Sequence, residues 1–76
     1  MKKSLLQSIG ELIPNPDKGS VLNRYAKEVV TMRENKVPYV DISIWLKNEY
    51  GILVSHQNVR DWHNRLSQKH DALFDI

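Results

Sequence analysis

Four side chains with strong hydrogen-bonding chemistry lie between positions 57 and 64. At about 100° per residue, a helix through this stretch would place all four on one face. Val59, Trp62 and Leu66 follow the spacing i, i+3, i+7 and would lie on the opposite face. The stretch therefore predicts a helix that is buried on one side and mainly polar on the other. The four polar residues are Gln57, Arg60, Asp61 and Asn64.

Amides and a guanidinium at helical spacing match the edges of DNA bases. Arginine can bind O6 and N7 of guanine together, and asparagine or glutamine can bind N6 and N7 of adenine. Asp61 could accept a hydrogen bond from cytosine N4 or pair with Arg65 one turn later, and both alternatives stay open. An ordinary surface helix also has a polar face, so the pattern alone does not select DNA. We expect base contacts from Gln57, Arg60, Asp61 and Asn64.

A second set of polar side chains surrounds this face and suits the phosphates of a nucleic-acid backbone. Ser55 precedes the helix as an N-cap, whose hydroxyl can accept from the backbone N–H of Gln57 or Asn58. The positive end of the helix dipole then favours a nearby phosphate. We expect phosphate contacts from Lys36, Tyr39, Ser55, His56, Asn58, Arg65 and Lys69.

Apolar spacing and capping residues predict an all-α fold. Ser4 can cap the first helix, and either Asp17 or Ser20 can cap the second. Neither a repeat nor a low-complexity segment interrupts the pattern. The predicted helices cover about residues 4–13, 20–35, 38–50 and 55–69.

The third predicted helix has a competing interpretation as a strand. Residues 39–44 alternate with a period of two and include β-branched side chains, so a hairpin into residues 52–54 is an open alternative. A helix is favoured because Gly51 is a natural stop and residues 45–49 contain no turn signal. Pro38 could occupy the first helical position, where its missing N–H has no cost.

Apolar residues at the two ends of the chain leave further alternatives. The first stripe can pack on the domain's own core, or it can form a self-association surface that would match paired helices to paired half-sites. The last apolar residues suggest that the chain is the N-terminal part of a longer protein. The first stripe is Leu5, Leu6, Ile9, Leu12 and Ile13, and the tail holds Ala72, Leu73, Phe74 and Ile76.

Length and composition limit the architecture. The 76 residues form one domain, 1–76, near the lower size at which a core alone supports folding. The chain has no cysteine, so neither a disulfide nor a thiolate zinc site can stabilise it. A formal charge of +2 gives mild support to a phosphate-facing surface. No stretch approaches the roughly 18 apolar residues of a membrane span. We expect a cytoplasmic protein with no membrane partner.

Metal-dependent and catalytic chemistry are not expected. His56, His63 and His70 recur every seven residues, and such ligands would lie about 10 Å apart along a helix, too far for one ion. The chain contains no Gly-rich phosphate loop and no serine beside an evident base. We therefore expect neither an enzyme nor a cofactor, and no small-molecule substrate.

A set of apolar, small and turn residues recurs between positions 29 and 66: Val29, Ile42, Ser43, Leu46, Tyr50, Gly51, Ile52, Val54, Ser55, Val59 and Trp62. With these residues the stretch resembles the bacterial three-helix helix-turn-helix domains of repressors, resolvase-type proteins and transposases, in their homeodomain-like form. It is also similar, over a smaller set of features, to plasmid stability and partition regulators of the StbA type. Pro38-Tyr39 departs from the family's usual Gly-x-Ser entry to its second helix.

The resemblance implies sequence-specific binding of double-stranded DNA through a recognition helix, residues 55–69, in the major groove. It implies a role in transcriptional repression or plasmid maintenance, with either a homodimer or side-by-side copies on repeated sites. Two alternatives stay open: the DNA-recognition domain of a recombinase or transposase, and a helical protein-interaction adaptor. The adaptor would use the Leu5–Ile13 stripe or the Leu73–Ile76 tail.

Overall fold

The computed structural model describes residues 4–74, and the regular secondary structure in this range consists of helices joined by turns and loops, with no strand. The predicted all-α fold is confirmed, and the alternative hairpin across residues 39–54 is wrong. In chain order the elements are α1 (Ile9–Leu12), a 3-10 segment (Val21–Tyr25), α2 (Ala26–Glu34), α3 (Tyr39–Tyr50) and α4 (His56–Phe74).

α3 forms where the strand alternative was open because its apolar residues are buried at helical spacing. Ile42 and Leu46, one turn apart, are both fully buried. Pro38 precedes the helix instead of occupying its first position, and its carbonyl accepts from the N–H of Ile42 at 3.1 Å. Gly51 ends the helix in the left-handed region, at φ 67°, and its N–H donates to the carbonyl of Lys47 at 2.9 Å.

α4 continues to Phe74, beyond the predicted end at residue 69. Residues 70–73 contain neither glycine nor proline, so nothing in the sequence stops the helix there. The described part of the apolar tail therefore belongs to α4, where Leu73 is half exposed. Ile76 lies outside the described residues.

The first predicted helix, residues 4–13, is largely wrong in its extent. Only Ile9–Leu12 is α-helical, and residues 5–8 form hydrogen-bonded turns. Ser4 and Gln7 nevertheless cap the turns reciprocally: the N–H of Gln7 donates to the Ser4 hydroxyl at 3.1 Å, and the N–H of Ser4 donates to Gln7 Oε1 at 3.0 Å. The Ser4 carbonyl accepts from both the hydroxyl and the N–H of Ser8, at 2.9 and 3.1 Å.

The apolar stripe of this N-terminal segment packs inside the domain. Ile9 and Leu12 are buried, and α1 contacts α4. Leu5, Leu6 and Ile13 are partly buried against the same core. Packing on the domain's own core is thus confirmed, and the stripe is not an open surface for self-association.

The second predicted helix, residues 20–35, forms in two parts, a 3-10 segment followed by α2. Ser20 is the cap, since its hydroxyl accepts from the N–H of Leu22 at 3.2 Å. Asp17, the alternative cap, lies 3.4 Å from Arg24 in an exposed ion pair. Beyond α2, Lys36 occupies the left-handed region at φ 62°. The next N–H, that of Val37, reaches back to the carbonyl of Met32 at 3.0 Å, as in a Schellman motif.

All the helices contribute to one core, which sets the rotation of α4. A small aromatic cluster extends it on the side of α3: Tyr50 stacks on Tyr25 at 4.4 Å between ring centroids and meets Trp45 edge-on at 5.3 Å. The buried apolar residues are Ile9, Leu12, Leu22, Ala26, Val29, Val30, Ile42, Leu46, Val59, Trp62 and Leu66.

Two glycines form a matched pair for testing the turn before α4. A Cβ at Gly51 or at Gly10 would meet no atom within 4 Å, so neither substitution is limited by space. Gly51→Ala should lower the free energy of unfolding by about 1 kcal/mol, because alanine is strained at positive φ. Gly10→Ala, within α1, should raise it by about 0.5 kcal/mol. Urea unfolding followed by circular dichroism measures both, and an unchanged Gly51→Ala variant would contradict the strained-turn argument.

Candidate nucleic-acid interface

One face of α4 is exposed over its first three turns, and the opposite face is buried. Val59 is fully buried, and Trp62 and Leu66 are each 6% exposed. The segment from residue 57 to residue 64 spans about 10 Å of helix axis. The predicted division of α4 into an apolar and a polar face is confirmed. The structure brings together, on the exposed face, Gln57, Arg60, Asp61 and Asn64.

Arg60 and Asp61 contact each other on this face. Arg60 Nε lies 3.8 Å from Asp61 Oδ1, and both side chains are just over half exposed. The predicted alternative of an Asp61–Arg65 ion pair is wrong: Arg65 Nε donates instead to the backbone carbonyl of Asp61, at 3.4 Å. An exposed ion pair contributes little to stability, so both side chains can exchange this contact for a ligand at small cost.

Ser55 caps α4 as predicted. The N–H of Asn58 donates to the Ser55 hydroxyl at 3.1 Å, which settles the two predicted partners in favour of Asn58. His56 and Asn58 are exposed beside the cap. The N-terminal turn of α4 is therefore fixed at the start of the exposed polar face, with its dipole directed toward the solvent in front of it.

Three side chains, one each from α2, α3 and α4, form a cluster at the edge of α4 that faces α3. The Tyr39 hydroxyl lies 3.3 Å from His63 Nδ1, and the two rings meet at 60°. Arg33, from the end of α2, lies with its guanidinium carbon 4.1 Å from the centroid of the Tyr39 ring, and Nη1 donates to the Val37 carbonyl at 2.7 Å. Lys36 is exposed in the loop between α2 and α3.

Arg33 and His63 were not predicted to belong to the site. Burial, and secondarily the positive charge of Arg33, lower the pKa of His63 below its usual value. Arg33 Nε is buried and has no hydrogen-bond partner among residues 4–74. The sequence carries no local signal for this cluster, because its members come from three elements.

The other edge of α4 faces the N-terminal segment. Trp62 Nε1 donates to Asn23 Oδ1 at 2.8 Å, and Lys69 Nζ donates to the carbonyl of Leu12, the last residue of α1, at 3.0 Å. Of the two predicted phosphate contacts here, Arg65 is exposed, and Lys69 holds α1 against α4. These side chains border an open groove of about 370 Å³, whose polar lining is Asn15, Ser20, Asn23, Arg65 and Lys69.

Residues 4–74 show neither a cluster of metal ligands nor a helix suited to a membrane span. Within this range, no three histidine or carboxylate side chains lie close enough together to hold a metal ion. None of the helices in the same range combines the length and the apolar character that crossing a bilayer requires.

The hydrogen bond of Lys69 can be tested apart from any ligand. Lys69→Met keeps the aliphatic stem and removes the donor to Leu12, so the free energy of unfolding should fall by about 1 kcal/mol. Gln68→Met, at an exposed neighbour on the same helix, is the matched control and should change it by less than about 0.5 kcal/mol. Equal stabilities of the two variants would show that Lys69 does not hold α1.

Comparison with known proteins identified no relative of this chain. The chain matches no protein-family model, no curated protein and no solved structure. The resemblance to helix-turn-helix domains accordingly rests on the residues that carry it, and the functional proposal rests on the geometry of α3 and α4.

Proposed function

We propose that this protein binds double-stranded DNA sequence-specifically and non-enzymatically, with α4 as the recognition helix in the major groove. The observation that carries the proposal is the exposed polar strip of α4 opposite a fully packed apolar stripe. The strip combines two amides, a guanidinium and a carboxylate, which are the groups that read base edges. Its residues are Gln57, Arg60, Asp61 and Asn64.

The arrangement of α3, the following turn and α4 supports this proposal. A helix-turn-helix places its first helix across the backbone and its second helix in the groove. Here α3 ends at the left-handed Gly51, residues 52–54 cross to Ser55, and α4 starts with a capped and exposed turn. α3 and α4 pack on each other, and Ile42, Leu46 and Val59 are fully buried in the core that the two helices share.

The flanks of α4 are suited to phosphates on both sides. A helix with its side chains is about 10–12 Å across and fills a major groove about 12 Å wide, so both strands pass close to its edges. Tyr39 lies toward one edge, where its hydroxyl contacts His63, and Lys36 is exposed in the loop before α3. Arg65 lies along the other edge, beside the groove that it lines together with Asn15 and Asn23. Ser55, His56 and Asn58 surround the helix N-terminus. Lys69 would need to exchange its bond to Leu12 for a phosphate.

Regulation of transcription by repression, or plasmid stability and partition, is the role that such a module would serve in the cytoplasm. A recognition helix of this size reads only a few base pairs, so high specificity calls for two copies on repeated or palindromic sites. No cofactor or catalytic group enters the proposal. A recombinase or transposase that uses the same recognition surface would differ only in residues outside this chain.

A protein-interaction adaptor is the second candidate, and an exposed apolar patch favours it. Val40 and Ile44 are half exposed on the outer face of α3, and Leu53 in the following turn is 80% exposed. Single exposed apolar residues are common on protein surfaces, so this patch is weaker support than the polar strip. A partner captured at high salt by a protein that enriches no DNA would favour the adaptor.

Selection of duplexes from a random DNA pool, followed by binding measurements, tests the proposal. Arg60→Ala and Asn64→Ala should each weaken binding of the selected duplex by about 1–3 kcal/mol, since each removes a bidentate base contact. Both variants should retain weak binding to unrelated duplexes. Asn48→Ala, which removes an exposed amide from the outer face of α3, is the matched control and should bind like the wild type.

The same assay separates an error in the reading face from an error in the function. Enrichment of a duplex that both variants bind normally would show that the reading face is assigned wrongly. Failure to enrich any duplex at low salt would overturn DNA binding itself. Affinity should also fall steeply between about 50 and 200 mM salt, because phosphate contacts release counterions.

A further inference from the structure

The Arg33–Tyr39–His63 cluster joins three helices at the edge of the polar strip. Arg33 comes from the last turn of α2, Tyr39 from the first turn of α3, and His63 from the middle of α4. The Tyr39 ring lies between the other two groups, with the Arg33 guanidinium over its face and the imidazole at its hydroxyl. His63 directly precedes Asn64 and follows Arg60 by one turn.

The chemistry of this contact depends on the proton of His63. When the imidazole is neutral and its proton is on Nε2, Nδ1 can accept a hydrogen bond from the Tyr39 hydroxyl. Donation by that hydroxyl makes the ring more electron-rich, which strengthens its attraction for the Arg33 cation. When His63 is protonated, Nδ1–H becomes a donor and the hydroxyl must accept. The Tyr39 ring is then flanked by two positive charges.

The charged group that acts on His63 is the positive Arg33. Arg33 faces it from α2 and acts on it electrostatically, and Tyr39 is the titratable group that contacts it from α3. On α4 itself, Arg60 lies one turn before it and is ion-paired with Asp61. Asp41, the acidic residue in the first turn of α3, is exposed and lies two residues after Tyr39, on another side of that helix. The described contacts therefore provide no carboxylate that would stabilise an imidazolium here.

We propose that Arg33, Tyr39 and His63 are positioning residues, which hold the recognition helix at its angle to α3 while His63 is neutral, so that protonation of His63 loosens α4 and weakens DNA binding. The inference rests on the proposed function for its DNA part. Its structural part, the dependence of the α2–α3–α4 junction on the proton of His63, stands without DNA.

The direction of the pH effect follows from burial and charge. Because the folded protein lowers the pKa of His63, the neutral imidazole stabilises the fold fully above the unfolded pKa of about 6.5. That stability is lost as the pH falls from about 6.5 through the lower pKa of the folded state. Each unit by which the two pKa values differ changes the folding equilibrium constant by about tenfold.

Proton NMR titration of the imidazole signals and thermal unfolding between about pH 7.5 and pH 4.5 test the structural part. In the wild type, His63 should titrate below 6.5, and Arg33→Gln should raise its pKa by removing the nearby charge. His63→Gln, which keeps a hydrogen-bond acceptor without a titration, should lose less stability on acidification than the wild type. His56→Gln removes an exposed imidazole from the same helix and should lose as much thermal stability on acidification as the wild type does.

Affinity for the selected duplex, measured at about pH 7.5 and pH 5.5, tests the coupling to DNA. Acidification should reduce the DNA affinity of the wild type by about threefold or more relative to that of His63→Gln. Tyr39→Phe should make this pH effect smaller, because it removes the hydroxyl contact. Equal pH profiles for wild type and His63→Gln, or a His63 pKa at or above 6.5, would overturn the proposal. If no duplex binds at either pH, the proposed function fails, and the titration and unfolding data still decide the positioning role.

Discussion

Burial of the apolar stripe of α4 is the interaction on which the rest of the structure depends. Fully burying an aliphatic or aromatic side chain contributes about 1.5–3 kcal/mol, more than any exposed polar contact of this chain can offer. Val59, Trp62 and Leu66 therefore decide how α4 is rotated about its own axis. Because the rotation is fixed, the side chains on the opposite face are held outward together.

Different parts of the chain hold α4 along its length. The turn after α3 and the Ser55 cap fix its first residues. Near the middle of α4, His63 contacts Tyr39, and Arg33 packs on the other side of the Tyr39 ring. Farther along, Lys69 of α4 donates to the carbonyl of Leu12 in the N-terminal segment. Short elements of this kind are unstable alone, so the helix and its supports depend on each other for their order. In a domain of 76 residues this mutual dependence replaces a large core.

The features that could be predicted from the sequence are those with a period or with a local stop or capping residue. The two faces of α4 follow from i, i+3, i+7 spacing, and the stop at Gly51 follows from the lack of a Cβ. The short α1 was not predictable from spacing, because Leu5 and Leu6 keep a helical spacing with Ile9 although residues 5–8 form turns. The Arg33–Tyr39–His63 cluster could not be predicted either, because its contacts depend on how three helices cross and not on a local sequence pattern.

The side chains of the exposed strip of α4 contribute little to the stability of the fold. The core, the cap and the contacts along both edges are formed by other residues, and the strip contributes only a weak surface ion pair. Its four positions can therefore change identity while the scaffold stays intact. A family of chains with one architecture and different binding preferences could arise by exchanging these side chains alone, and a laboratory library randomised there would explore recognition without losing foldability.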